Sequence, residues 1–84
     1  MRTLPNDKAD STQPLLSVEQ IGRAIQQERK AQGLTQSDIA GLAQTGVRFI
    51  VDLEKGKPTI QMSKALAVLQ LLGLELVVRK KGSQ

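Results

Sequence analysis

Arg48, Asp52, Lys55 and Lys57 lie close together in the stretch VRFIVDLEKGK, which opens on Val47 and follows Gly46. These residue types make no catalytic set. The chain has no histidine or cysteine, its acidic residues are not clustered with helper groups, and no glycine-rich phosphate loop follows a strand. What they suit is holding and reading a polyanion. A guanidinium fork matches guanine O6 and N7, a valine methyl contacts a thymine methyl, and a carboxylate accepts from cytosine or excludes the wrong base. Val47, Arg48 and Asp52 are therefore the candidate base contacts. Lys55 and Lys57 are candidate phosphate contacts as point charges, joined by Gln36 at a helix start and by Gly46, which lets the backbone approach closely. Each has a plainer alternative. A surface lysine is usually just solvated, a carboxylate beside phosphates is unfavourable unless paired, and Phe49, the one aromatic residue, is read as packing near a turn rather than as a stacking platform. Lys64 and Lys80 are read as solvated. No cofactor and no metal site is implied.

Two short helices joined by a tight turn must position these groups. Thr35 stands three residues before Asp38, the spacing of a capping box, so a helix enters near Gln36. Ile39, Leu42 and Ala43 share its inward face, and Ala40 keeps the adjoining surface small enough for another helix to cross. In the second helix Ile50 and Leu53 point inward, leaving Val47, Arg48, Val51 and Asp52 nearer the outside, and Gly56 with Pro58 ends it. This is the outline of a helix-turn-helix DNA reader.

Leu34-Thr35-Gln36, Ala40, Ile50 and Leu53-Glu54-Lys55-Gly56 carry a resemblance to the Xre/Cro-type helix-turn-helix regulators. Gly46-Val47-Arg48-Phe49-Ile50, Leu53 to Thr59 and Leu72-Gly73-Leu74-Glu75-Leu76 resemble more closely the HipB-type antitoxins, and the likeness runs from about Ser17 to Arg79. The sequence departs from the family at Gln44, a turn position where glycine is common. A left-handed conformation there costs roughly 1–2 kcal/mol relative to glycine. The family pattern implies that Arg29, near the end of the preceding helix, pairs with Glu54; the alternative is a solvated arginine on a polar face. The resemblance also implies a lambda-repressor-like all-α bundle of four to five helices, with a C-terminal strand from each protomer pairing into a small sheet across a dimer.

The rest of the chain fits around this unit. With 84 residues it is expected to form one small domain whose edge helices bury apolar surface against a second copy. Twelve Lys and Arg against eight Asp and Glu give +4, which favours an anionic partner without naming DNA. Residues 1–14 are expected to be a flexible arm, in which Asp7 and Asp10 offset Arg2 and Lys8. Residues 15–73 are the helix-turn-helix domain. Its first helix is capped by Ser17 with Gln20, carries Val18, Ile21, Ala24 and Ile25 on a narrow stripe, and stops at Gly33. A last helix from about Met62 to Leu72 carries Met62, Ala65, Leu66, Leu69 and Leu72 inward, while Val68 and Leu71 widen its stripe towards another subunit. Residues 74–79 read as a dimerisation strand, because an isolated strand must find an edge for its backbone groups. Its alternative is a frayed tail. The expected dimer interface is Val68, Leu71, Leu74, Leu76 and Val78, and residues 80–84 are a basic tail.

The expected function is that of a sequence-specific repressor binding palindromic, double-stranded operator DNA as a homodimer, without catalysis. The HipB resemblance implies a second role as antitoxin, restraining a HipA-type serine/threonine kinase toxin. A stand-alone Xre-type regulator with no toxin is the alternative, and an adaptor that no longer binds DNA is a rival of another class. With no apolar run near the roughly 20 residues that span a bilayer and no signal segment, a cytoplasmic, nucleoid-associated protein without membrane contact is expected.

Overall fold

The computed structural model describes Leu15 and residues 17–81. Four helices account for its regular structure: α1 (Val18–Ala31), α2 (Gln36–Leu42), α3 (Val47–Lys55) and α4 (Met62–Leu71). The expected flexible arm, with Arg2 and Lys8, lies outside the described residues, as does the end of the basic tail.

Local chemistry accounts for where the helices begin. Ser17 holds an extended backbone and its hydroxyl accepts the Gln20 N–H at 3.1 Å, which starts α1. At α2 the capping box closes in both directions: the Asp38 N–H donates to Thr35 Oγ1 at 3.0 Å and the Thr35 N–H to Asp38 Oδ2 at 2.9 Å. The turn into α3 passes through Gln44 at φ 57°, the strained conformation expected there, and the backbone N–H of Thr45 donates to Ala40 at 2.9 Å.

α3 packs against both α1 and α2, and α2 also meets α4. Between them Ile25, Ile39, Ala40, Ile50, Leu53, Ala65, Val68, Leu69 and Leu72 form the buried core, with Ile21, Leu34, Ala43, Phe49, Ile60 and Leu74 packed on its rim. Gly22 sets the crossing of α1 and α3. A Cβ at this position would stand 2.5 Å from the Leu53 carbonyl oxygen and 2.6 Å from that of Glu54, so only glycine lets the two backbones meet.

Two expectations need correction. Leu42 is 60% exposed, not inward. At about 100° per residue, Ile39, Ala40 and Ala43 define the α2 stripe and Leu42 falls roughly 110° from its centre. In α4, Val68 is fully buried, so it belongs to the protomer's own core and not to an interface with a second copy. Ala65, Val68, Leu69 and Leu72 form the inward stripe, turned by about 50° from the expected one, and Leu66 and Met62 are left exposed. Within the single protomer residues 74–80 form no strand, and four helices and no strand are present among the described residues. The physical reason is the one that made the strand conditional: within one protomer this segment has no edge to pair with. Leu74 is half-buried against the core, while Leu71, Leu76 and Val78 are exposed, Val78 at 93%.

Candidate nucleic-acid interface

α3 places its first residues at the surface. Val47 is exposed and the Arg48 side chain is 87% exposed, whereas Ile50 and Leu53, on the opposite side of the same helix, are sealed in the core. Gly46 caps the helix with an extended backbone at φ −80° and ψ 156°, and makes no side-chain cap. Any residue adopts that conformation, and a Cβ added there meets nothing within 4 Å. The fold itself therefore does not require glycine at this position.

At the other end of α3, Gly56 turns left-handed at φ +80° and the Lys57 N–H returns to the Asp52 carbonyl at 3.0 Å. A side chain at position 56 would run into the backbone of Glu19 at 2.5 Å, so glycine is required there on both counts. The turn brings Lys57 back over the exposed face of α3, where its Nζ stands 3.5 Å from Asp52 Oδ2. Arg48 approaches the other carboxylate oxygen, with Nε 3.7 Å from Oδ1. Asp52 is thus flanked by two cations, with its own side chain 23% exposed. Lys55 is exposed nearby. Lys64 is not simply solvated: its ammonium lies over the Phe49 ring, 5.6 Å from the centroid, while Phe49 packs on the core rim.

Beneath this surface a buried polar cluster joins three helices. Arg29 of α1 donates from Nε to Glu54 Oε2 at 2.6 Å and from Nη2 to Oε1 at 3.1 Å, and from Nη1 to the Leu34 carbonyl at 2.7 Å. Glu54 Oε1 also accepts from Gln36 Nε2 at 3.0 Å and from Gln26 Nε2 at 3.4 Å. Both charged residues are buried. Burial pushes the Glu54 carboxyl upward, but the Arg29 and Gln36 hydrogen bonds, the Arg29 charge and the Gln26 bond outweigh it and hold the group below its ordinary value. The carboxylate is therefore the stable form, and it ties the end of α3 to α1 and to the start of α2. Gln36, named from sequence as a phosphate contact, has its side-chain amide engaged in this cluster. Arg29 and Glu54 sit together, as the family pattern implied; Gln26 was not foreseen, and neither was Gln32, which donates to the Leu72 carbonyl at 2.8 Å and anchors the end of α4.

The result is a capped helix pair with a tight turn, whose second helix exposes its N-terminal side chains beside a basic exit: a helix-turn-helix DNA-binding domain. Comparison with known proteins agrees. The helix-turn-helix family HTH_3 matches residues 25–78. An uncharacterized HTH-type transcriptional regulator, y4mF of Sinorhizobium fredii (strain NBRC 101917 / NGR234), is 48% identical over 64 residues, which cover 76% of this chain and 84% of that protein. The chain belongs to this helix-turn-helix family of transcriptional regulators, which are DNA-binding proteins and not enzymes. Among solved structures, a HipB-O4 20mer complex superposes with a TM-score of 0.75 at 23% identity, covering 82% of this chain and 97% of that one. A HipA-HipB-O2-O3 complex gives 0.76 at the same identity and coverage. At that identity the likeness establishes a shared fold. No helix among the described residues is long and apolar enough to cross a membrane.

Proposed function

We propose that this regulator is a sequence-specific repressor that binds palindromic operator DNA as a homodimer and serves as the antitoxin to a HipA-type serine/threonine kinase toxin. The observation that carries the DNA reading is the contrast along α3: Arg48 is almost fully exposed at its start, while Glu54 at its end is locked into the buried cluster with Arg29. An exposed reading side chain on a fixed helix is what base discrimination requires. Val47 and Arg48 meet base edges, with Asp52 on the same face one turn on. Lys55 and Lys57 hold phosphates. The space at Gly46 admits a backbone close to the start of α3, and Gln36 keeps one amide N–H beyond its bond to Glu54.

The dimer reading is supported by the C-terminal segment. Leu71, Leu76 and Val78 expose apolar surface on or just after α4, and Leu74 leads out of the core beside them. Pairing residues 74–79 of two copies antiparallel would satisfy their backbone groups and cover these side chains. On this reading residues 15–73 are the DNA-binding domain and residues 74–79 the dimerisation strand.

The antitoxin role is supported by the fold shared with HipB, which one solved structure holds in a HipA-HipB-O2-O3 complex. A stand-alone regulator is the second reading, favoured by the 48% identical relative, which is described only as a transcriptional regulator. Copurification of a kinase-like protein encoded beside this gene is expected for the antitoxin, and its failure to bind the purified regulator would leave the stand-alone reading. For the operator itself, cleavage protection should show two patches centred about one helical turn, roughly 34 Å, apart or a multiple of that. A single unpaired patch would contradict the dimer.

A further inference from the structure

The carboxylate of Asp52 is an odd presence on a face meant for phosphates. It is the only acidic side chain on the exposed face of α3; Glu54, the other acid of that helix, is buried. Near DNA it should repel, yet its two oxygens are each approached by a cation, Arg48 Nε at 3.7 Å and Lys57 Nζ at 3.5 Å. The arrangement is built from both ends of the helix. The four-residue spacing puts Arg48 one turn before Asp52, and the left-handed turn at Gly56 folds Lys57 back onto it.

We propose that Asp52 is a specificity-determining positioning residue, which acts by holding Arg48 and Lys57 against itself rather than by contacting a base. This rests on the reading above, in which Arg48 reads a base and Lys57 holds a phosphate. Without DNA the carboxylate halves the charge of this trio, from two positive charges to a net of one, so a phosphate backbone alone meets a less cationic face than the two side chains would present by themselves. Non-specific attraction depends on the cations a protein can commit to phosphates, and each one so occupied lowers it. Guanine presents O6 and N7 to the guanidinium in the bidentate geometry that the carboxylate, 3.7 Å from a single nitrogen, does not supply. A phosphate can also accept two bonds from the guanidinium, but it competes as one more anion with a carboxylate already in place. A guanine edge lies in the groove where the fixed helix aims Arg48, so Arg48 leaves Asp52 more readily for the right base than for a passing phosphate. The carboxylate weakens binding everywhere except at the operator.

The test is Asp52→Asn, which keeps the shape and removes the charge. Both proteins are titrated across a salt series with the duplex upstream of the gene and with a scrambled duplex, and thermal melting confirms that the variant folds. Affinity for the scrambled duplex should rise by about five-fold, with a salt slope steeper by about one, while affinity for the native duplex changes by no more than about two-fold. In an Arg48→Ala background the gain on scrambled DNA should shrink, because only Lys57 is left to be released. If Asp52→Asn leaves scrambled binding and its slope unchanged, and instead loses affinity only at one operator base pair, Asp52 is a base contact and the proposal is overturned. If neither duplex responds, it is overturned as well. A wild-type protein that does not distinguish the two duplexes overturns the operator reading and this role with it; a wild-type protein that does, with an unresponsive variant, overturns the role of Asp52 alone.

Discussion

Glu54→Gln should be among the most damaging conservative substitutions in this chain. The Glu54 side chain is 2% exposed and that of Arg29 8%. The change keeps the shape of the side chain but turns one acceptor oxygen into an amide donor facing Arg29. It leaves a buried guanidinium without its counter-charge, and breaking one partner of such a pair costs about 3–5 kcal/mol. For a domain of this size, whose whole stability is of the order of 5–10 kcal/mol, this corresponds to a drop in Tm of roughly 12–40 °C. Circular dichroism melts of the two proteins at neutral pH would measure it. The pH dependence supplies an internal control. Because the folded carboxyl titrates below its unfolded value, the wild type's advantage is fully present above the unfolded pKa of about 4.3 and is lost as pH falls through the folded value. The two melting curves should therefore stand apart near pH 7 and converge in strong acid, where Glu54 is itself neutral. A gap under about 1 kcal/mol at pH 7, or one that stays constant into acid, would refute the assignment of this stability to the ion pair. Replacing Arg29 and Glu54 together by apolar residues of similar volume should restore much of the loss.

Gly22→Ala should destabilise the fold by roughly 1–3 kcal/mol, the range for overpacking, despite a gain of about 1 kcal/mol in helix propensity, since the obstructing atoms are backbone carbonyls of α3; chemical denaturation gives the value, and an unchanged midpoint would count against the close crossing. Gln44→Gly relieves the left-handed strain and should stabilise by about 0.5–1 kcal/mol after the added freedom of the unfolded chain is set against it; a lower Tm would contradict this. Leu76→Asp together with Val78→Asp should yield a folded monomer at micromolar concentration by sedimentation, with weakened operator binding, whereas an intact dimer would remove these residues from the interface.

The helix-turn-helix was legible because its signals are local. A capping hydroxyl three residues before its partner, an apolar pair one turn apart and a glycine-proline exit each act within a few residues; α1 and α2 begin at their capping hydroxyls, and α3 ends at its glycine. Gln44 was legible as a strained turn for the same reason. What depended on the angle at which helices meet was not. Val68 and Leu42 lie at the borders of their apolar stripes, where a rotation of about 50° exchanges core for solvent, and nothing local to α4 sets that rotation. Gln26 reaches Glu54 across a gap that Gly22 makes narrow, and Gly22 itself offered one hint: a glycine inside a helix costs about 1 kcal/mol and usually has a packing reason. The strand was a statement about a second chain, and periodicity in one chain cannot form it.

The central claim is that the exposed start of α3 reads DNA sequence. It is tested most directly by measuring binding of the purified protein to its own upstream duplex and to a scrambled one across a salt series, with Arg48→Ala alongside. Tighter binding to the native duplex is expected, weakening with salt, with a loss of about 1–3 kcal/mol in Arg48→Ala and relaxed preference at one base position. Equal binding of both duplexes by the wild type, or an Arg48→Ala variant that still discriminates as well as the wild type, would contradict it.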